Sequence, residues 1–129
     1  MTVEIHNNLP FVIPAPELYP AWFNDLQPSE QQKWGACLKP SALGAVTTPV
    51  PETGYGDPQE WRISYLICGE IDQGMPEAFQ EFLVEQAVQA GVEVKVEGRI
   101  KSGHFVQISH PEELAQWIGE MVKKYCGMV

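Results

Sequence analysis

The chain is short of positive charge: eight Lys and Arg stand against seventeen Asp and Glu, a formal net charge of −9. Nucleic-acid binding relies on basic side chains displacing the counterions of a phosphate backbone, so this balance argues against a nucleic-acid partner. An anionic membrane surface is disfavoured on the same ground. Long apolar runs are missing too. No stretch approaches the roughly 18 apolar residues of a membrane span, and the first ten residues (MTVEIHNNLP) have neither the basic start nor the apolar centre of a secretory signal. A soluble, cytoplasmic protein is the expectation. Cysteine and histidine are scarce, three of each. Cys37, Cys68 and Cys126 are widely spaced, form no CxxC and have no His at metal-ligand spacing, so they are read as buried reduced thiols and no metal is expected. The glycine fingerprints of dinucleotide and P-loop sites are also lacking, and no cofactor is expected.

What is present suits a single domain over residues 1–129. The length of 129 residues, with 44% apolar and 10% aromatic residues, fits one folded unit with a modest core, and no repeat at a solenoid period is visible. Composition divides the chain in two. Residues 1–60 hold most of the eleven prolines and no long periodic pattern, which predicts an arm of turns and short helices. One helix is signalled at residues 28–38: Pro28 suits a first helical position, and Trp34, Cys37 and Leu38 share a face by i, i+3, i+4 spacing. Lys39-Pro40 ends it. A second short helix is predicted over 41–46, and residues 47–59 (TTPVPETGYGDPQ) form a loop by composition.

From residue 61 the pattern becomes regular. Residues 61–68 (WRISYLIC) form a near-continuous apolar run, as expected of a strand covered on both faces, and 69–75 (GEIDQGM) a polar loop. Pro76 opens a helix to about Ala90 with Phe79, Phe82, Leu83, Ala87 and Ala90 on one side, and Gly91 stops it. Val92, Val94 and Val96 then alternate with Glu93, Lys95 and Glu97, the period of a strand with one wet face. The loop 101–105 (KSGHF) follows. A last helix opens at Pro111, with Leu114, Trp117, Ile118, Met121, Val122 and Tyr125 as the stripe expected to lie on the sheet. Strand, helix, strand within about 40 residues is a parallel βαβ unit, whose post-strand loops share one carboxyl edge, so Asp72 and His104 are expected to meet.

These residues resemble the C-terminal half of an α/β-hydrolase. The similarity lies in residues 65–76 (YLICGEIDQGMP) and 98–118 (GRIKSGHFVQISHPEELAQWI), which look like that family's acid loop and histidine loop. The stretch 18–49, with Trp22-Phe23-Asn24-Asp25-Leu26 and Leu38-Lys39-Pro40-Ser41, is similar to the lid of small esterase-like members. The resemblance implies an α/β fold with Asp72 as the acid of a triad and His104 as its histidine. The departure is equally plain. The family's G-x-S-x-G nucleophile elbow and its oxyanion loop are absent, as are the strands that precede them.

A carboxylate that fixes one imidazole nitrogen leaves the other as a base near neutral pH. Without a serine, that dyad forms no acyl-enzyme, but it can move a proton in an isomerisation, cyclisation or elimination. The leading expectation is therefore a truncated α/β-hydrolase-like enzyme acting on an apolar carbonyl-containing small molecule, a polyketide or terpenoid intermediate of secondary metabolism being one such class. His104 is the base, Asp72 its orienter, and Trp22, Phe23, Trp34, Tyr19 and Tyr55 wall the substrate. Plainer roles exist for each: Asp72 can cap the helix at Pro76 or satisfy loop amides, Glu70 can be a solvated surface carboxylate rather than an alternative partner, His110 can mark a helix start, His6 lies in a terminal segment, and the aromatics can be ordinary core. Two other functions stand beside the enzyme: an accessory protein that holds a hydrophobe, and one half of a split serine esterase.

The apolar strand over 61–68 is an interior strand in the family it resembles, so here its edge and faces need cover. Residues 2–5 and 11–13 can fold back as substitute strands, or two copies can join their sheets. A homodimer is the expected solution.

Overall fold

The computed structural model describes residues 2–49 and 62–127. Tyr55, Trp61 and most of the 47–59 loop lie outside the described residues. Strands β1 (Thr2–His6) and β2 (Leu9–Ile13) pair antiparallel with His6 opposite Leu9, which leaves two residues for the turn. Asn7 and Asn8 both have positive φ, 50° and 63°. That is the two-residue hairpin loop whose twist matches the flanking strands, and Asn tolerates the left-handed region better than most residues. Strand β3 (Ser41–Ala42) joins the other edge of β2, opposite Phe11 and Val12. Pro10, which has no N–H to donate, stays outside that pairing.

This small sheet corrects the reading of the N-terminal arm as turns and short helices. It also answers the fold-back question. The two N-terminal segments pair with each other rather than with the apolar strand, because a two-residue turn joins them locally while a distant partner would require closing a long loop. The segment predicted as one helix over 41–46 is β3 followed by α3 (Leu43–Thr47).

A single 3-10 turn (Pro16–Leu18) leads into α1 (Tyr19–Trp22) and then α2 (Pro28–Gly35), which begins at Pro28 as predicted. A Cβ on Gly35 would sit 2.2 Å from the Tyr19 ring, so the missing side chain is what lets α1 and α2 approach. Helix α2 stops at Gly35, three residues short of the predicted end, and Cys37 is left exposed. Cys126, at the end of the last helix, is exposed too, and Cys68 is half-buried. The three thiols are free, but none is the buried group expected of it: two are exposed and Cys68 is half-buried.

The second unit is the predicted strand–helix–strand: β4 (Ile63–Gly69), α4 (Glu77–Gln89) and β5 (Val94–Lys101), with β4 and β5 parallel. The chain is thus mixed α/β, with a two-stranded parallel sheet beside the antiparallel one. The register runs from Ile63 opposite Val94 to Gly69 opposite Lys101, broken once where Tyr65 faces Val96 and Leu66 faces Gly98. Glu97 is the extra residue of that bulge. It redirects the strand so that Glu97 reaches the final helix, α6 (Pro111–Cys126), accepting from Lys124 Nζ at 2.5 Å and from the Tyr125 hydroxyl.

Helix α6 follows the short α5 (Val106–Ser109). Trp117 packs its indole where a Cβ on Gly98 would be, 2.7 Å from Nε1. The rest of the α6 stripe is less covered than its periodicity predicts: Ile118 is 49% exposed and Val122 37%. On α4, Phe79, Phe82, Leu83 and Val88 are exposed as well. Among the described residues β4 and β5 pair only with each other. None of the described helices is long and apolar enough to cross a membrane.

The hairpin makes a direct test. Asn8→Val places a β-branched side chain at positive φ and should lower stability by about 1–2 kcal/mol, while Asn8→Gly should match or exceed the parent, both read by denaturant unfolding.

Candidate functional site

Parallel pairing sets the two loops side by side. Gly69 and Lys101 are opposite partners at the carboxyl ends of β4 and β5, and each loop then runs three residues to its functional group, Asp72 and His104. The two meet: His104 Nδ1 lies 3.2 Å from Asp72 Oδ2. Against a carboxylate that accepts, a neutral His104 places its proton on Nδ1 and keeps the lone pair on Nε2. The Asp72 side chain is 2% exposed and that of His104 31%, which puts the anchor inside and the imidazole within reach of a ligand.

Asp72 is held from the other side by its own loop. Its Oδ1 accepts from the backbone N–H of Gly74 and of Met75, both at 2.8 Å. One oxygen of the carboxylate thus satisfies its own loop, while the other faces His104 and lies 3.5 Å from Gln80 Nε2. Gly74 has no room for a Cβ, which would fall 2.9 Å from His104 Cγ and 3.0 Å from Trp22 Cδ1. Trp22 and His104 thus close on the acid loop together.

Gln80 ties the base of the loop to β4. Its Nε2 donates to Cys68 O and Met75 O, each at 2.7 Å, and its Oε1 accepts from Cys68 N at 3.1 Å. The residue is 3% exposed. It stands one turn after Pro76, where helix α4 begins, so an i+4 offset from that proline carries the side chain back under the loop. Glu70, also in the acid loop, turns outward at positive φ, 61°. Its carboxylate pairs with Lys101 Nζ at 2.7 Å, and that hydrogen bond and charge hold it below the usual carboxylate range. It is not the partner of His104.

The histidine loop is packed as tightly. Phe105 stacks on Phe23 with ring centroids 4.7 Å apart, and Phe23 is 1% exposed. Asp25 Oδ2 accepts from Gly103 N at 2.6 Å, and Asn24 Nδ2 donates to Ile71 O at 2.5 Å. Ser102 is fully buried, and its hydroxyl has no nitrogen or oxygen partner. It lies against the Cys68 thiol, which burial pushes up in pKa more than that hydroxyl pulls it down. His110 sits at the start of α6 with Nδ1 2.8 Å from Ser109 Oγ and 3.7 Å from Asp25 Oδ2.

Of the predicted aromatics, Trp22 and Phe23 reach the site, one beside His104 and one beneath Phe105. Tyr19 and Trp34 do not. Tyr19 packs on Gly35 and lines a separate hollow of about 510 Å³ with Pro16, Pro20, Pro28, Gln31 and Gln32. Trp34, on α2, lies 5.0 Å from Lys33 Nζ and supplies none of the contacts around the pair. His6 ends β1, in the antiparallel sheet. Two further concavities flank Arg99, and neither they nor the hollow include His104 or Asp72. Among the described residues no three His, Cys, Asp or Glu converge as metal ligands would.

Sequence reasoning paired Asp72 with His104 but passed over Gln80, Asn24 and Asp25 as site residues. The clue lay in type and place: an amide and a carboxylate directly after the Trp-Phe pair, in a segment otherwise turn-rich. No protein-family model matches the chain, and no curated protein matches it.

Two outcomes follow. Alkylation by iodoacetamide at pH 8 should modify Cys37 and Cys126 at least ~10-fold faster than Cys68, whose thiolate is disfavoured and whose sulfur is less accessible. Gln80→Leu leaves both backbone groups of Cys68's end of the strand and the Met75 carbonyl without their partner, and should cost about 2–3 kcal/mol in denaturant unfolding.

Proposed function

We propose that this chain is an acid–base enzyme of the cytoplasm, built on the C-terminal part of an α/β-hydrolase-like fold. It transfers protons on an apolar carbonyl-containing small molecule rather than hydrolysing an ester. The observation that carries the reading is the division of labour on Asp72: one oxygen locked by two loop amides, the other against His104 Nδ1. His104 Nε2 removes a proton from the carbon next to the carbonyl, the electron pair moves onto the carbonyl oxygen, and the imidazolium returns the proton elsewhere. If the pair instead expels a β-substituent, the reaction is an elimination. Positioned acid–base action of this kind contributes roughly 10²–10⁴-fold to rate. Trp22 beside the ring supplies an apolar wall.

Association of two copies belongs to the same reading. The free edge of β4 among the described residues and the exposed Phe79, Phe82 and Leu83 support it. A second reading, a binding protein without turnover, draws support from the hollow beside Tyr19, which lies apart from the imidazole.

Hydrogen–deuterium exchange of enolisable cyclic ketones and lactones in D₂O, followed by NMR, separates them. The parent chain should exchange the α-proton of at least one member of such a panel, and His104→Gln should exchange it at least ~100-fold more slowly. Equal rates for parent and variant remove the enzyme reading, and ligand binding unchanged by the substitution would then favour the binding protein.

A further inference from the structure

We infer that Asn24 and Asp25 together are the positioning device of the His104–Asp72 pair, a strap that ties both loops at the residue preceding each functional group. Asn24 donates to the carbonyl of Ile71, directly before Asp72, and Asp25 accepts from the N–H of Gly103, directly before His104. These ties span 47 and 78 residues of sequence, so two adjacent side chains from the N-terminal arm bridge the two loops of the strand–helix–strand unit.

The fit is close and largely dry. The Asp25 side chain is 7% exposed, and a carboxylate on a backbone N–H out of water is among the stronger hydrogen bonds a protein makes. Gly103 lies flat on the strap: a Cβ there would be 2.5 Å from Asp25 Oδ1 and 2.8 Å from Asn24 Oδ1. The remaining oxygen of Asn24 is buried without a partner, so its hold on the acid loop runs through the amide nitrogen alone. Below the strap, the last sheet pairing between the two loops is Gly69 with Lys101. From there each loop runs three residues to its functional group; the Gly74 and Met75 amides and Gln80 hold the acid loop to itself and to β4, and the strap adds a tie from each loop to one N-terminal segment.

The inference rests on His104 and Asp72 acting as a proton-transfer unit, but its readout needs no substrate. Long-range ¹⁵N–¹H NMR of His104 in the neutral state reports which ring nitrogen carries the proton. In the parent chain that should be Nδ1, held by Asp72. Asn24→Asp keeps the side-chain volume and removes the donor to Ile71, and Asp25→Ala removes the acceptor for Gly103. Both should lose the Nδ1–H tautomer, and Asp25→Ala should also speed exchange of the Gly103 amide about 10- to 100-fold.

Asp25→Asn retains an acceptor oxygen and should keep the parent tautomer. Trp117→Ala, which loosens α6 from β5 away from both loops, should keep it as well. Circular dichroism verifies folding of each variant, and either variant that folds, Asn24→Asp or Asp25→Ala, decides. Folded Asn24→Asp and Asp25→Ala chains with the parent tautomer overturn the inference. So does an Asp25→Asn chain that loses the tautomer while the Gly103 amide stays protected. A parent chain that shows the strap-dependent tautomer yet catalyses no exchange would refute the enzyme reading and leave the strap standing.

Discussion

A carboxylate almost wholly withdrawn from water must find a partner for every lone pair that it turns inward, and Asp72 organises its surroundings to that end. Its Oδ1 draws two backbone N–H groups of its own loop into a tight turn, and its Oδ2 faces the imidazole of His104. The loop would adopt that turn for electrostatic reasons alone, since an unpaired buried carboxylate costs several kcal/mol. The second oxygen faces a ring that is itself only partly buried. Gln80 extends the same logic downward, satisfying the strand end from which the loop departs.

Much of this was legible in the sequence because the relevant signals are local. Proline at a first helical position fixed the start of α2 and α6, Gly91 marked the end of α4 with φ of +87°, and the run 61–68 announced β4. The meeting of Asp72 with His104 was legible for a topological reason: parallel strands deliver their following loops to one edge, so equal offsets from the two strand ends suffice. Periodicity was less informative for α6. Its stripe predicts a fully covered face, yet two strands make a sheet too narrow to cover six side chains, and Ile118 and Val122 remain exposed.

The parts that were not legible depend on pairings between distant segments. The hairpin was hidden because Pro10 disguises β2 as a loop and because a pair of asparagines is a weaker turn signal than Asn-Gly. The bulge at Glu97 could not be read from an alternation that continues through it unchanged. Asn24 and Asp25 offered only side-chain type. Their partners are backbone groups 47 and 78 residues away, and nothing in a carboxylate's immediate sequence says which amide it will accept from. The cysteines failed for a simpler reason: Cys37 follows the end of α2 and Cys126 is the last residue of α6, and such helix ends are exposed.

The balance between apolar and polar order explains why such ties matter here more than in a larger protein. Among the described residues the buried apolar ones are few, Ala15, Phe23, Ile67 and Ile100, and they are divided between the N-terminal arm and the two parallel strands. A core of that size positions elements to within the slack of side-chain packing, which is coarser than the few tenths of an ångström that separate a hydrogen bond from a near miss. The finer placement comes from directed interactions. Phe23 on Phe105 brings the arm against the histidine loop, and the two side chains that follow it convert that approach into a fixed geometry. In consequence the arm is part of the site's framework rather than a cover over it: the segment that resembles a lid carries the residues on which the loops are aligned, and motion of that segment would disassemble the pair instead of uncovering it.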